Sequence, residues 1–172
     1  DPRSLDRDFR FVVTADSQFN AKSGGDLLAA DFAQISRITG SPRFHFICGD
    51  LTMTGWIREW KWYAEARKAM TLRHYDLFGG HGGNYGRYTR LKRGTVHHFN
   101  LFCGPSYYSW RQGGRHFVMA DHVHSHTTGK QQARQRKWMA KLIGMLKPGT
   151  EIVYAAHYPS PLEEWRARHK VV

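Results

Sequence analysis

Cysteine is scarce in this 172-residue chain, and so is negative charge. Only Cys48 and Cys103 are present, one of them inside an apolar run, which argues against a disulfide framework and leaves the redox compartment open. Asp and Glu number 14 against 26 Lys and Arg, a formal net charge of +12 with His neutral. That balance favours polyanions, phosphate-bearing substrates or an acidic partner, and says nothing about fold. No apolar run is long enough to span a bilayer. An initiator Met is lacking too, since the chain begins at Asp1. This fits removal of a secretory signal or an excerpt from something longer, and sets the expectation of a secreted or periplasmic protein. What is present, 41% apolar residues, suffices for one domain over residues 1–172 with a core of its own.

The chain is organised around Phe46-Ile47-Cys48-Gly49-Asp50-Leu51-Thr52, where an apolar strand runs into a glycine and delivers a carboxylate. The same construction occurs at Phe9-Arg10-Phe11-Val12-Val13-Thr14-Ala15-Asp16, a continuous strand expected to be buried on both faces. Between them Asp26 is placed to cap a helix whose Leu28, Phe32, Ile35 and Ile38 recur at helical spacing until Gly40. Strand, helix, strand makes a right-handed βαβ unit with parallel strands, which predicts Asp16 and Asp50 at one edge of the sheet. Ligands collect at the carboxyl ends of such strands, so the two acids are candidate metal ligands. The bland alternative for each is a helix cap or a turn residue.

Residues 56–70 read as a helix with Ile57, Trp60 and Ala64 inward and Glu59, Lys61, Glu65, Arg67 and Lys68 solvated. A strand from Tyr75 to Phe78 enters the glycine-dense stretch from Gly79 to Gly86, which suits either close backbone approach to a ligand or a flexible loop. Residues 87–98 read as basic and irregular, with Arg87 a candidate to hold a substrate phosphate. Tyr107 to Trp110, Gly113-Gly114 and Arg115 to Ala120 form a hairpin pattern. Asp121-His122-Val123-His124-Ser125-His126 spaces its imidazoles by two, on one face of any strand, a pattern that can bind a metal; the alternative is a solvated or substrate-facing loop, in which His122 and His124 are candidate substrate contacts. A helix from Lys130 to Leu146 follows, then a strand from Ile152 to Ala156 that ends in His157-Tyr158-Pro159. This third strand end offers an imidazole.

Taken in order, strand-Asp16-x-Gln18, strand-Gly49-Asp50-Leu51, the Gly-Asn loop, the Tyr107-Tyr108-Ser109-Trp110 and Gly114-Arg115-His116-Phe117 hairpin and strand-His157-x-Pro159 resemble the calcineurin-like metallophosphoesterase superfamily, from residue 9 to about residue 161. The resemblance implies an α/β fold, a four-layer α-β-β-α sandwich of two mixed sheets, with two divalent metal ions (Mn, Fe or Zn) at the strand ends. It implies that Asp16 binds one ion, Asp50 bridges both, and Asn84 and His157 bind the second. Gln18 stands where many members have His, as a weaker ligand or a group behind the ligands. Two metals held about 4 Å apart neutralise and polarise a phosphoryl group, which explains the residue types.

The pattern departs from the family in two places. The family's Gly-Asn-His-Asp/Glu run is matched by Gly83-Asn84-Tyr85-Gly86, without the His that supports leaving-group protonation. His81 is the candidate for that catalytic role, or is itself the family His in a shifted register where Gly80 replaces Asn. The terminal Gly-His-x-His motif is missing, and His169 does not sit in one, so the domain is expected to lack its C-terminal ligand-bearing segment. The expected function is hydrolysis of phosphomonoesters or phosphodiesters. A catalytically degenerate fold serving as a structural or interaction subunit is the first alternative. A nucleic-acid-binding protein using its basic surface is the second, although the basic residues are scattered and no recognised binding motif occurs. Oligomeric state is open.

Overall fold

β-Branched and aromatic runs become two small sheets, and the apolar stripes of four helices cover their outer faces. A computed structural model of the chain describes residues 8–81, 94–121, 129–158 and 166–172. In chain order the elements are β1 (Val12–Thr14), α1 (Lys22–Ile35), β2 (Phe44–Ile47), α2 (Ile57–Arg67), β3 (Arg73–Asp76), α3 (Gly94–Phe102), β4 (Tyr108–Gln112), β5 (Arg115–Ala120), α4 (Gly129–Met145), β6 (Glu151–Ala156) and β7 (Lys170–Val171). One sheet has the order β1-β2-β3 and the other β4-β5-β6-β7. The first is parallel throughout its described strands, and the second is mixed, with the antiparallel β4–β5 hairpin joined to parallel β6 and β7.

Alternation along β2 sets the layering. Phe44 and Phe46 face the second sheet, where they pack with Leu77, Phe117, Met119 and Ala155. Ile47 faces the other way, into a core with Leu28 and Phe32 of α1, Trp60 and Tyr63 of α2, and Val96 and Phe99 of α3. On the far side of the second sheet Val118, Ala120 and Ile152 pack against Met139 and Leu142 of α4. The layers are therefore helices, sheet, sheet, helix, as the sequence led us to expect. Fully burying each large apolar side chain contributes about 1.5–3 kcal/mol, and Trp60, Tyr63, Phe32, Phe44, Phe78, Phe99 and Phe117 are all within this interior.

Several local readings are corrected. Asp26 is not the cap of α1, which begins at Lys22 after Ala21. Gly24 and Gly25 enter the helix despite their poor propensity because Gly25 packs beneath Trp62, and Asp26 instead pairs with Lys22 one turn earlier. Ile38 lies beyond the helix end and is exposed. β1 covers only Val12–Thr14, and Val13 is 49% exposed because β1 is the edge strand. Glu59, expected in solvent, is buried and accepts hydrogen bonds from the Thr54 N–H at 2.9 Å and the Thr54 hydroxyl at 2.6 Å, closing the loop that follows Asp50. This suits a carboxylate in the first turn of a helix. Residues 94–98, read as irregular, open α3, where Val96 and Phe99 lie one turn apart and pack into the core beside Trp60.

The hairpin turn holds Gly113 and Gly114 at φ of 56° and 78°, the pair of left-handed residues that a tight two-residue turn requires. Both cysteines are free thiols. No helix among the described residues is long and apolar enough to cross a membrane.

Candidate metal centre

Asp16 follows β1, Asp50 follows β2, and His157 follows β6, so two sheets deliver three side chains to one point. Parallel pairing continues past the strands, with the Asp16 N–H donating to the Gly49 carbonyl at 3.1 Å and the Gln18 N–H donating to the Asp50 carbonyl at 3.0 Å. The chain turns sharply there. Asp16, Gln18 and Asp50 all have left-handed φ (60°, 31° and 52°), and the other non-glycine residue of this kind among the described residues is Ser41. Each such residue costs on the order of 1–3 kcal/mol and persists where the surroundings over-determine it, as binding sites do.

One oxygen of Asp16, one of Asp50 and one ring nitrogen of His157 all lie within 4.8 Å of one another. Asp50 is only 3% exposed. Its Oδ1 accepts the His81 backbone N–H at 2.8 Å, and its Oδ2 accepts Gln18 Nε2 at 2.7 Å and lies 3.2 Å from His157 Nε2. Gln18 Nε2 is also 3.4 Å from Asp16 Oδ1, so one amide spans both acids. Burial pushes the Asp50 carboxyl upward, but the bonds from His157, the His81 N–H and Gln18 outweigh it and hold the group below the ordinary carboxylate range. The bond to Asp50 raises His157 in turn, against its burial and with help from the Cys48 carbonyl.

His157 Nδ1 donates to the Cys48 carbonyl at 2.8 Å, which fixes the ring and aims Nε2 at Asp50. A ligating histidine is held in this way, with its second nitrogen tied to a backbone oxygen. The donor set fits a divalent cation. Two carboxylates converge with the Nε2 of His157, which ligates a cation when its proton is on Nδ1, as the bond to the Cys48 carbonyl favours. Carboxylate and imidazole suit Mn, Fe or Zn. The Cys48 thiol is pushed up to about 11 by burial and by Asp16, so this sulfur stays protonated and contributes its carbonyl alone.

Close backbone approach makes the convergence possible. Gly49 has φ +85°, and a Cβ there would sit 2.8 Å from His157 Nδ1. A Cβ on Gly79 would overlap the backbone nitrogen of Asp50, and one on Gly80 would overlap the Tyr158 hydroxyl.

The other expected site residues fall in different places. Gln18 joins the cluster. His81 reaches Asp50 through its backbone, while its ring Nδ1 donates to the Met53 carbonyl at 3.0 Å. Asn84, Arg87, His122 and His124 lie outside the described residues. Two features of the site region were not foreseen. One is Tyr158, adjacent to His157. The other is a buried polar ladder on the helix-facing side of the first sheet, in which Thr14 Oγ1 and His45 Nε2, His45 Nδ1 and His74 Nδ1, and His74 Nε2 and Asp76 Oδ1 are each 2.8 Å apart. The ladder follows from the parallel register that sets His45 beside His74, which no spacing within one segment encodes.

No family model matches the sequence, and no curated protein matches it significantly. Among solved structures, a purple acid phosphatase from yellow lupin (Lupinus luteus) seeds aligns with a TM-score of 0.52 at 16% identity, over 85% of this chain and 30% of that one. A protein of unknown function from Aquifex aeolicus aligns with a TM-score of 0.42 at 11% identity, over 96% of this chain and 91% of that one. The likeness to the phosphatase, together with the two sheets and their flanking helices, shows that this chain shares that protein's α/β fold over the aligned part. The chain spans about 30% of the phosphatase's length.

Proposed function

We propose that this protein is a metal-dependent hydrolase of phosphomonoesters or phosphodiesters, acting at the Asp16, Asp50 and His157 cluster. The observation that carries the reading is the meeting, within 4.8 Å, of three ligand atoms from the ends of β1, β2 and β6. We assign Asp16 to one divalent ion, Asp50 to a bridging position, and His157 with Asn84 to a second ion, with Gln18 steadying both carboxylates. Ions bound there supply charge neutralisation and an activated water nucleophile at neutral pH.

The chain's own groups do the rest. Three donors keep Asp50 ionised against its burial, and the Cys48 carbonyl holds the His157 ring so that Nε2 faces the acid. His81, immediately after Gly79-Gly80 and anchored on Asp50 through its N–H, is the proposed acid, its imidazole standing in for the missing family His and protonating the leaving oxygen. Arg87, His122 and His124 are the proposed substrate contacts. The +12 charge draws anionic esters toward the protein.

Metal content by elemental mass spectrometry on protein purified without chelator, with hydrolysis of a chromogenic phosphate ester in added Mn, tests the reading. We expect bound metal and turnover, both lost in Asp50→Ala. Full activity in that variant refutes the assignment. Gly80, standing where the shifted register has Asn, favours one second reading, a degenerate fold kept as an interaction subunit. That reading predicts neither metal nor turnover.

A further inference from the structure

Two aromatic side chains follow β6, and each is seated on a glycine of the first sheet. The His157 ring lies against Gly49, after β2, and the Tyr158 hydroxyl lies against Gly80, after β3. The rings of His157 and Tyr158 meet edge to face with centroids 4.7 Å apart. Gly80 directly precedes the N–H of His81 that holds Asp50 Oδ1, so the Tyr158 hydroxyl sits beside the backbone segment supporting the buried acid. Gly80 has no side chain, and the Tyr158 hydroxyl occupies the space in which one would begin.

Resting on the phosphoesterase reading, we infer that Tyr158 is a further substrate-contacting residue: its hydroxyl takes over from the side chain absent at Gly80 and donates a hydrogen bond to a phosphoryl oxygen of the ester. The chemistry matches the need. A phenol O–H is a neutral donor, and phosphoryl oxygens accept strongly. Tyr158 is 44% exposed, so the hydroxyl-bearing ring is open to an incoming ligand while its neighbour His157 is largely buried. A tyrosine ring brings this donor with few rotatable bonds, which limits the ordering cost on binding.

Calorimetric binding of inorganic phosphate to Mn-loaded protein, with metal content and ester hydrolysis measured on the same samples, tests the inference. In Tyr158→Phe we expect metal content to stay at the wild-type level and phosphate affinity and kcat/KM each to fall by about tenfold to a hundredfold, the range for losing one hydrogen bond to a charged group. Gly80→Ala places a Cβ where the hydroxyl lies and displaces it, so it should reproduce the loss. The double variant should be no worse than either single one. Unchanged phosphate affinity and kcat/KM in Tyr158→Phe, additive losses in the double variant, or loss of metal from Tyr158→Phe would each overturn the assignment. If the wild type holds metal and hydrolyses the ester while Tyr158→Phe is unaffected, Tyr158 alone is wrongly assigned. If the wild type holds no metal, the phosphoesterase reading fails and this one with it.

Discussion

Gly49 and His157 are in contact across the two sheets, the glycine's missing Cβ leaving room for the imidazole, 2.8 Å from where that carbon would be. This contact lets the end of β6 close over the end of β2 and set Nε2 beside Asp50. The glycine is required twice, for the space and for φ +85°.

Gly49→Ala should therefore lose about 1–2 kcal/mol of stability from the left-handed backbone alone. It should also lose metal, because His157 must move. Denaturant unfolding and metal stoichiometry, measured together, check this. A variant with wild-type metal content would show that His157 is not held by this contact.

The buried ladder predicts a pH dependence. Burial lowers the His45 pKa from 6.5 to about 4, with neighbouring His74 acting the same way and Asp76 opposing. Between those pH values the unfolded chain binds a proton at His45 that the folded protein does not, so stability falls as pH drops from above 6.5 to about 4. The two values differ by about 2.5 units, which at 1.36 kcal/mol each gives at most ~3 kcal/mol. His116, lowered by burial and then by Arg111, acts in the same direction, and His157, raised by Asp50, acts in the opposite one. Comparing metal-free wild type with His45→Asn by denaturant unfolding at pH 7 and pH 4.5 isolates the His45 contribution, and the variant should show the flatter dependence. Equal slopes would contradict a neutral buried His45.

Asp76 anchors the same ladder. It accepts from His74 and from the Tyr63 hydroxyl and pairs with Arg67 at 2.8 Å. Burial alone would raise its carboxyl, but His74, Arg67 and Tyr63 together hold it below the ordinary range. Asp76→Ala leaves a largely buried guanidinium and two other donors without their acceptor, and should cost about 3–5 kcal/mol. Tyr63→Phe removes one hydrogen bond to a charged group and should cost about 2 kcal/mol. Thermal or denaturant unfolding ranks the two, and a smaller loss in Asp76→Ala than in Tyr63→Phe would show that the network does not depend on the carboxylate.

The sequence by itself determined the layered α/β class and the delivery of Asp16, Asp50 and His157 to strand ends, because a buried strand that breaks at a polar residue is a local pattern. The Gly113-Gly114 turn was local in the same sense, whereas of the stripe expected on α2 only Trp60 is buried, Ile57 being exposed and Tyr63 and Ala66 taking the inner face. Tertiary structure decided what depends on partners distant in the chain. Gly-Gly entered α1 because Trp62 covers it, Glu59 left solvent because Thr54 offered two donors, and β1 stayed short because it became an edge. The seating of Tyr158 on Gly80 and the alignment of His45 with His74 exist only once the two sheets pack, bringing the end of β6 against the first, and β2 pairs with β3. Periodicity along one segment carries no information about such contacts, since what brings these residues together is the register between strands rather than any spacing within them.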